Sequence, residues 1–123
     1  MKTSKRRLGD LGEDVACEYL GGLGQRVLER NWRGGHLEVD VISADARGIH
    51  FVEVKSRTAP VSADPLVGVT RRKMDSLRRA ALKYASGRKL ADAELFFDLI
   101  TVIFDGDRTE VEYYPQAFIP DLY

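Results

Sequence analysis

The chain has 123 residues, 44% of them hydrophobic, and carries 19 Lys plus Arg against 19 Asp plus Glu, a formal net charge of zero. That balance excludes a disordered polyelectrolyte and fits one domain with one core across residues 1–123. The single cysteine, Cys17, excludes an internal disulfide and a CxxC site, and no apolar run reaches the roughly 18–20 residues of a membrane span.

With a basic start and no apolar segment behind it, a soluble, cytoplasmic protein is expected. Asp10 to about Leu23 reads as a helix, because Leu8, Leu11, Val15, Tyr19 and Leu23 recur at three- and four-residue steps. Asp10 is its expected N-cap, and Gly21, Gly22 and Gly24 end it. "QRVLERNW" reads as a short strand and "RGG" as a turn. "HLEVDVIS" alternates, which sets Leu37, Val39 and Val41 on one face and Glu38, Asp40 and Ile42 on the other. "ADARG" is a hairpin turn, and "IHFVEVKS" is the returning strand.

Residues 58 to 68, with two prolines, read as a loop. Thr70 caps a second helix running to Ser86, with Met74, Leu77, Ala81 and Tyr84 inward and Gly87 as the C′ residue. "LFFDLITVIF" is apolar almost throughout, as a strand covered on both faces would be. "EVEYY" follows the Asp105-Gly106-Asp107 turn as an edge strand that Pro115 stops. The order α-β-β-β-α-β-β predicts a three-layer α/β domain, a mixed central sheet flanked by helices.

Charge is distributed unevenly. From Arg71 to Lys89 there are eight basic residues and one acid, Asp75, a net of +7. From Asp92 to Tyr123 there are eight acids and one base, Arg108, a net of −7. The opening "MKTSKRR" adds four cations. Local sign governs which polyion approaches a surface, so Arg71, Arg72, Lys73, Arg78 and Arg79 are candidate contacts to nucleic-acid phosphates. A solvated helix face, neutralised by the acidic end, is the alternative.

The chemistry concentrates in the hairpin. Ile49, Phe51, Glu53 and Lys55 share one face of the returning strand, which begins apolar and ends charged. A turn centred on Ala44 to Arg47 pairs Ile42 with Ile49 and Asp40 with Phe51, leaving Asp40 and Glu53 as diagonal neighbours about 7 Å apart. Two carboxylates across that gap can share a hard divalent cation such as Mg²⁺ or Mn²⁺, with the Val54 carbonyl as a further oxygen. Lys55, two residues on, can serve a water or neutralise charge developing on a phosphate. Ordinary bridges from Glu53 to Lys55 or Arg57 would explain the same residues, at about 0–1 kcal/mol each.

"GDLGEDVACEYL", "VLERNWR", "EVDVI", "FVEVKSR", the lysine-bearing second helix and "FFDLITV" together resemble, in order, the YraN-like uncharacterised protein family. The match covers nearly the whole chain. That resemblance implies a restriction-endonuclease-like, PD-(D/E)xK fold similar to Holliday-junction resolvases. It implies Asp40 as the metal-binding aspartate, Glu53 and Lys55 as the E-x-K pair, and Glu13 as the supporting first-helix glutamate. The sequence departs from the family pattern at Leu37, preceded by His36, and at Phe96.

Other residues keep two readings. Glu13 either closes a capping box with Asp10 or looks into the site. Glu38 is a supporting ligand or an exposed carboxylate. Asp98, interrupting a buried strand, needs a partner such as Arg57. His36 and His50 lack companions at metal-binding spacing. Trp32 anchors the core or stacks on a base, and Cys17 is a small helix residue. The expectation is a Mg²⁺- or Mn²⁺-dependent endonuclease acting on branched or damaged DNA, with Asp40, Glu53, Lys55 and Glu13 as its site. The alternatives are a nucleic-acid-binding module that does not cut, and an interaction protein whose +7 and −7 segments dock on each other or form a homodimer.

Overall fold

In a computed structural model, residues 4–61, 64, 70–90 and 92–117 are described. The elements are α1 (Ser4–Gly22), β1 (Arg26–Gly34), β2 (Leu37–Ala44), β3 (Ile49–Thr58), α2 (Arg71–Ser86), β4 (Leu95–Asp105) and β5 (Arg108–Tyr114). They lie in one five-stranded sheet of order β1-β2-β3-β4-β5, antiparallel except for the parallel pair β3 and β4 that α2 connects. Most of the loop expected at 58–68, and the cation expected at Lys2, lie outside the described residues.

Neighbouring residues on a strand point to opposite faces, and the core divides accordingly. Ile42, Phe51, Phe97 and Leu99 pack with Met74, Leu77, Ala81 and Tyr84 of α2. Val41, Val52, Ile100 and Val102 pack with Ala16 and Leu20 of α1. The result is a three-layer α/β domain. Each fully buried side chain such as Phe51, Leu20 or Ile100 contributes about 1.5–3 kcal/mol through lost contact with water. Among the described residues, no helix is long and apolar enough to cross a membrane.

Three sequence expectations change. First, α1 begins at Ser4, so Asp10 lies inside the helix and cannot form a capping box with Glu13. Second, the hairpin pairs Ile42 with Phe51, Ser43 with His50 and Ala44 with Ile49. The Asp45 carboxylate accepts the N–H groups of Arg47 (2.9 Å) and Gly48 (3.3 Å), so the turn closes later than the sequence suggested. Third, alternation slips along β2: Val39 packs in the α2 layer and Val41 in the α1 layer, although they are two residues apart.

Asp98 is fully buried and has partners, but Arg57 is not among them. His50 Nδ1 lies 2.7 Å from its Oδ2, the Tyr113 hydroxyl donates to the same oxygen, and the Gln116 N–H donates to Oδ1 at 2.9 Å. Burial and this contact with Asp98 raise the Tyr113 phenol well above its usual range. Arg57 instead donates to its neighbour's carbonyl, on Ser56, at the exposed end of β3.

The depth of α1 against the sheet is set at Gly12. A Cβ there would lie 1.7 Å from Ser56 Oγ and 2.9 Å from Ser56 Cβ, so a side chain would lever the helix off β3. Gly12→Ala is therefore expected to destabilise the protein by about 1–3 kcal/mol in urea unfolding. Adding Ser56→Gly should recover most of that loss. Unchanged stability in Gly12→Ala would show that the helix does not depend on this contact.

Candidate functional site

The last pair of the β2–β3 ladder is Val41 with Val52. One step further lie Asp40 and Glu53, and there the strands part. The Val54 N–H, instead of reaching a carbonyl of β2, donates to Asp40 Oδ2 at 2.9 Å. The side chain thus takes over from the backbone ladder, and a cleft of about 230 Å³ opens beside it. His36, Leu37, Glu38, Asp40, Glu53 and Lys73 are among its lining residues. The departures at His36 and Leu37 thus shape the cleft. Phe96 lies away from it, stacked on His50 at 4.8 Å near the hairpin turn.

Asp40 also faces β1. The β1–β2 pairs Arg30 with Val41 and Trp32 with Val39 bracket it, which brings Asn31 level with Asp40. Asn31 adopts a left-handed backbone conformation, φ 51°, which asparagine tolerates better than most residues. Its Nδ2 donates to Glu13 Oε1 at 2.9 Å. Arg30 reaches Asp14 at 2.8 Å and Glu13 at 3.8 Å. Glu13 is thereby held at the α1 side of the fork, one helical turn before the buried Ala16.

The electrostatics follow from this crowding. The Asp40 carboxyl is pushed up to about 7, chiefly by burial; the Val54 hydrogen bond opposes the rise, while Glu53, Glu13 and Glu38 reinforce it by like-charge repulsion. Burial also raises Glu13, against the pull of the Asn31 hydrogen bond and Arg30. Lys55 is lowered by burial first and then by the neighbouring Lys73, while Glu53 acts the other way.

Lys73 enters the site itself. Its Nζ lies 2.6 Å from Glu53 Oε1, with side-chain exposures of 45% and 20%. The sequence suggested Lys55 or Arg57 as the bridge to Glu53; the first turn of α2 supplies a bridge as well. Arg71, Arg72, Arg78 and Arg79 are exposed on the outer side of that helix. Glu38 is exposed and bridges Arg33 at 3.4 Å. Trp32 meets Tyr84 edge to face at 5.4 Å, a packing role. Cys17 is half-buried against the α1 layer, its thiol raised by burial.

Asn31 and the inward turn of Lys73 are what the sequence reading missed. An asparagine inside a strand is the signal for the first, since its backbone preference is out of place there. Among the described residues, no group of three or more His, Cys, Asp or Glu side chains is arranged to enclose a metal ion. Mg²⁺ needs no such cage, because it binds through one or two carboxylates and keeps several waters. The oxygen-only pair Asp40 and Glu53, both half-buried and Asp40 crowded by like charges, fits that chemistry.

The profile of the uncharacterised protein family UPF0102 matches residues 12–102, a span holding every residue of the fork. The chain belongs to the UPF0102 family. The YraN-like motifs read from the sequence are those of this family. UPF0102 proteins similar to it include those of Trichlorobacter lovleyi (41% identical, covering 90% of this chain and 89% of the relative) and Geobacter metallireducens (36%, covering 96% and 97%). That of Syntrophotalea carbinolica is 37% identical, covering 98% of each chain. Among solved structures, Pyrococcus furiosus SfsA in complex with Ca²⁺ is similar with a TM-score of 0.40 and 15% identity, covering 90% of this chain and 63% of that one.

The Asp40 shift has a consequence for stability. The folded-state value lies above the ordinary 3.8, so between about pH 4 and 7 the folded chain holds a proton that the unfolded chain has released. Stability therefore falls as pH rises through that window and stays reduced above it. In chelator, Asp40→Asn is expected to be more stable than wild type by about 2–4 kcal/mol near neutral pH and above. The advantage should vanish near pH 4. Parallel pH–stability curves for the two proteins would contradict the burial of a charged Asp40.

Proposed function

We propose that this chain is a Mg²⁺- or Mn²⁺-dependent DNA endonuclease of PD-(D/E)xK type, acting in the cytoplasm on branched or damaged DNA. The observation that carries the reading is the fork. Two carboxylates, Asp40 and Glu53, stand where the ladder opens, with the lysines of β3 and α2 beside them.

Asp40 and Glu53 would hold the ion. When bound, it would lower the pKa of a coordinated water and offset charge on the scissile phosphate. Glu13, kept in place by Asn31 and Arg30, would steady the surrounding water. Lys55, whose ammonium lies near Glu53 and Lys73, would hold the attacking water and offset charge developing on the phosphate. Arg71, Arg72, Arg78 and Arg79 present a row of exposed cations to the backbone phosphates.

A second reading has an observation of its own. The Lys73–Glu53 bridge at 2.6 Å would suit a module that keeps the fold and binds nucleic acid without cutting it. Cleavage of junction, flap and linear DNA with Mg²⁺ or Mn²⁺ distinguishes the two. The nuclease reading expects cleavage that chelator stops, that Asp40→Ala abolishes and that Lys55→Ala reduces about 10²-fold or more while DNA binding persists. Equal cutting by wild type and Asp40→Ala would reject the assignment. Salt-sensitive DNA binding without any cleavage, indifferent to Lys55→Ala, would favour the second reading.

A further inference from the structure

The first turn of α2 is electrostatically awkward. It carries Arg71, Arg72 and Lys73 and no acid, at the helix end where the backbone dipole is already positive. Thr70 accepts the Lys73 N–H at 3.2 Å, so the backbone at Lys73 is fixed while its side chain is long and flexible. That side chain turns away from the exposed arginines and into the cleft, to Glu53. Lys55 acts on the same carboxylate from β3 and is itself disfavoured by Lys73. Two ammonium groups therefore share the neighbourhood of Glu53, while Asp40, one step from the same fork, is held by a backbone amide.

We propose, building on the nuclease reading, that Lys73 is a displaceable counter-cation. It holds the cation position against Glu53 in the metal-free protein, yields it to a divalent ion, and turns outward to a DNA phosphate beside Arg71 and Arg72. The basis is charge and reach. A dication shared by Asp40 and Glu53 would sit next to the Lys73 ammonium, and like charges so close repel. The lysine is almost half exposed, and rotation of its four-carbon stem leads to the cationic outer side of the same helical turn. A phosphate arriving there would meet an ammonium that metal binding has released. Metal and DNA would then bind cooperatively through one side chain, and such coupling is reciprocal.

The test is calorimetric titration of Mn²⁺ into the DNA-free protein, comparing wild type with Lys73→Met and Lys73→Gln. Lys83→Met, which removes an exposed charge from the same helix, and Asp40→Asn serve as controls. Both Lys73 variants are expected to bind Mn²⁺ on the order of tenfold tighter than wild type. Lys83→Met should stay near the wild-type value, and Asp40→Asn should lose binding. Thermal melting checks that each variant is folded. In the companion experiment, anisotropy of a labelled four-way junction should show that Ca²⁺ strengthens wild-type binding and strengthens Lys73→Met binding less.

Equal or weaker Mn²⁺ binding by the folded Lys73 variants would overturn the proposal, since Lys73 would then be holding Glu53 in position. Equal tightening by Lys83→Met would also overturn it, by reducing the effect to general charge. Mn²⁺ binding that survives in Asp40→Asn is a different failure, because it removes the metal site on which the nuclease reading stands.

Discussion

One hydrogen bond organises the β2–β3 fork: the Val54 amide donating to the carboxylate of Asp40. A backbone N–H inside a sheet must find an acceptor, because leaving it bare costs about as much as the bond it lacks. At Val54 the acceptor is a side chain. β2 can therefore part from β3 one residue past the Val41–Val52 pair without orphaning the amide. The same bond holds a half-buried carboxylate in place, and the opening it permits is the cleft.

The two helices deliver the remaining charges to that opening, each through a local device. On the α1 side, Gly12 lets the helix press onto Ser56, which brings Glu13 down to the level of the fork. Asn31 and Arg30 then fasten it. On the α2 side, the Thr70 cap fixes the first turn, and Lys73 reaches from it to Glu53. The apolar layers behind these contacts, Ala16 and Leu20 on one face and Met74 and Leu77 on the other, make the approach rigid. Charged groups can be held close to one another here because the packing leaves the helices nowhere else to go.

Much of this was legible in the sequence. Apolar spacing marked both helices, the long apolar run marked β4, and the run of charges at the end of β3 marked the site. What was not legible depended on local exceptions to periodicity. The hairpin register rested on pairing Ile42 with Ile49, but the Asp45 carboxylate closes the turn later and pairs Ile42 with Phe51 instead. Strict alternation placed Val39 with Val41, whereas they pack in different layers on either side of Asp40, where the fork begins. Asp98 needed a partner, and a buried histidine and a half-buried tyrosine provided it from positions 48 and 15 residues away. Gly87 follows α2, as its place after Ser86 suggested, but in a right-handed conformation, and Lys89 takes the left-handed one two residues later.

The fork treats its two main carboxylates differently, and that difference bears on what it can bind. Burial and like-charge neighbours favour a proton on Asp40, while an ammonium group neutralises Glu53. Each is a monovalent answer to the same excess of negative charge. A divalent cation could answer for both at once, replacing the proton on one side and the ammonium on the other. Such a site would bind metal in competition with protons, so its affinity would rise with pH through the range where Asp40 ionises. It would also release a lysine toward the exposed arginines of α2 as it fills. The crowding of carboxylates that makes the fork costly to fold around is thus the feature that would make a dication welcome there.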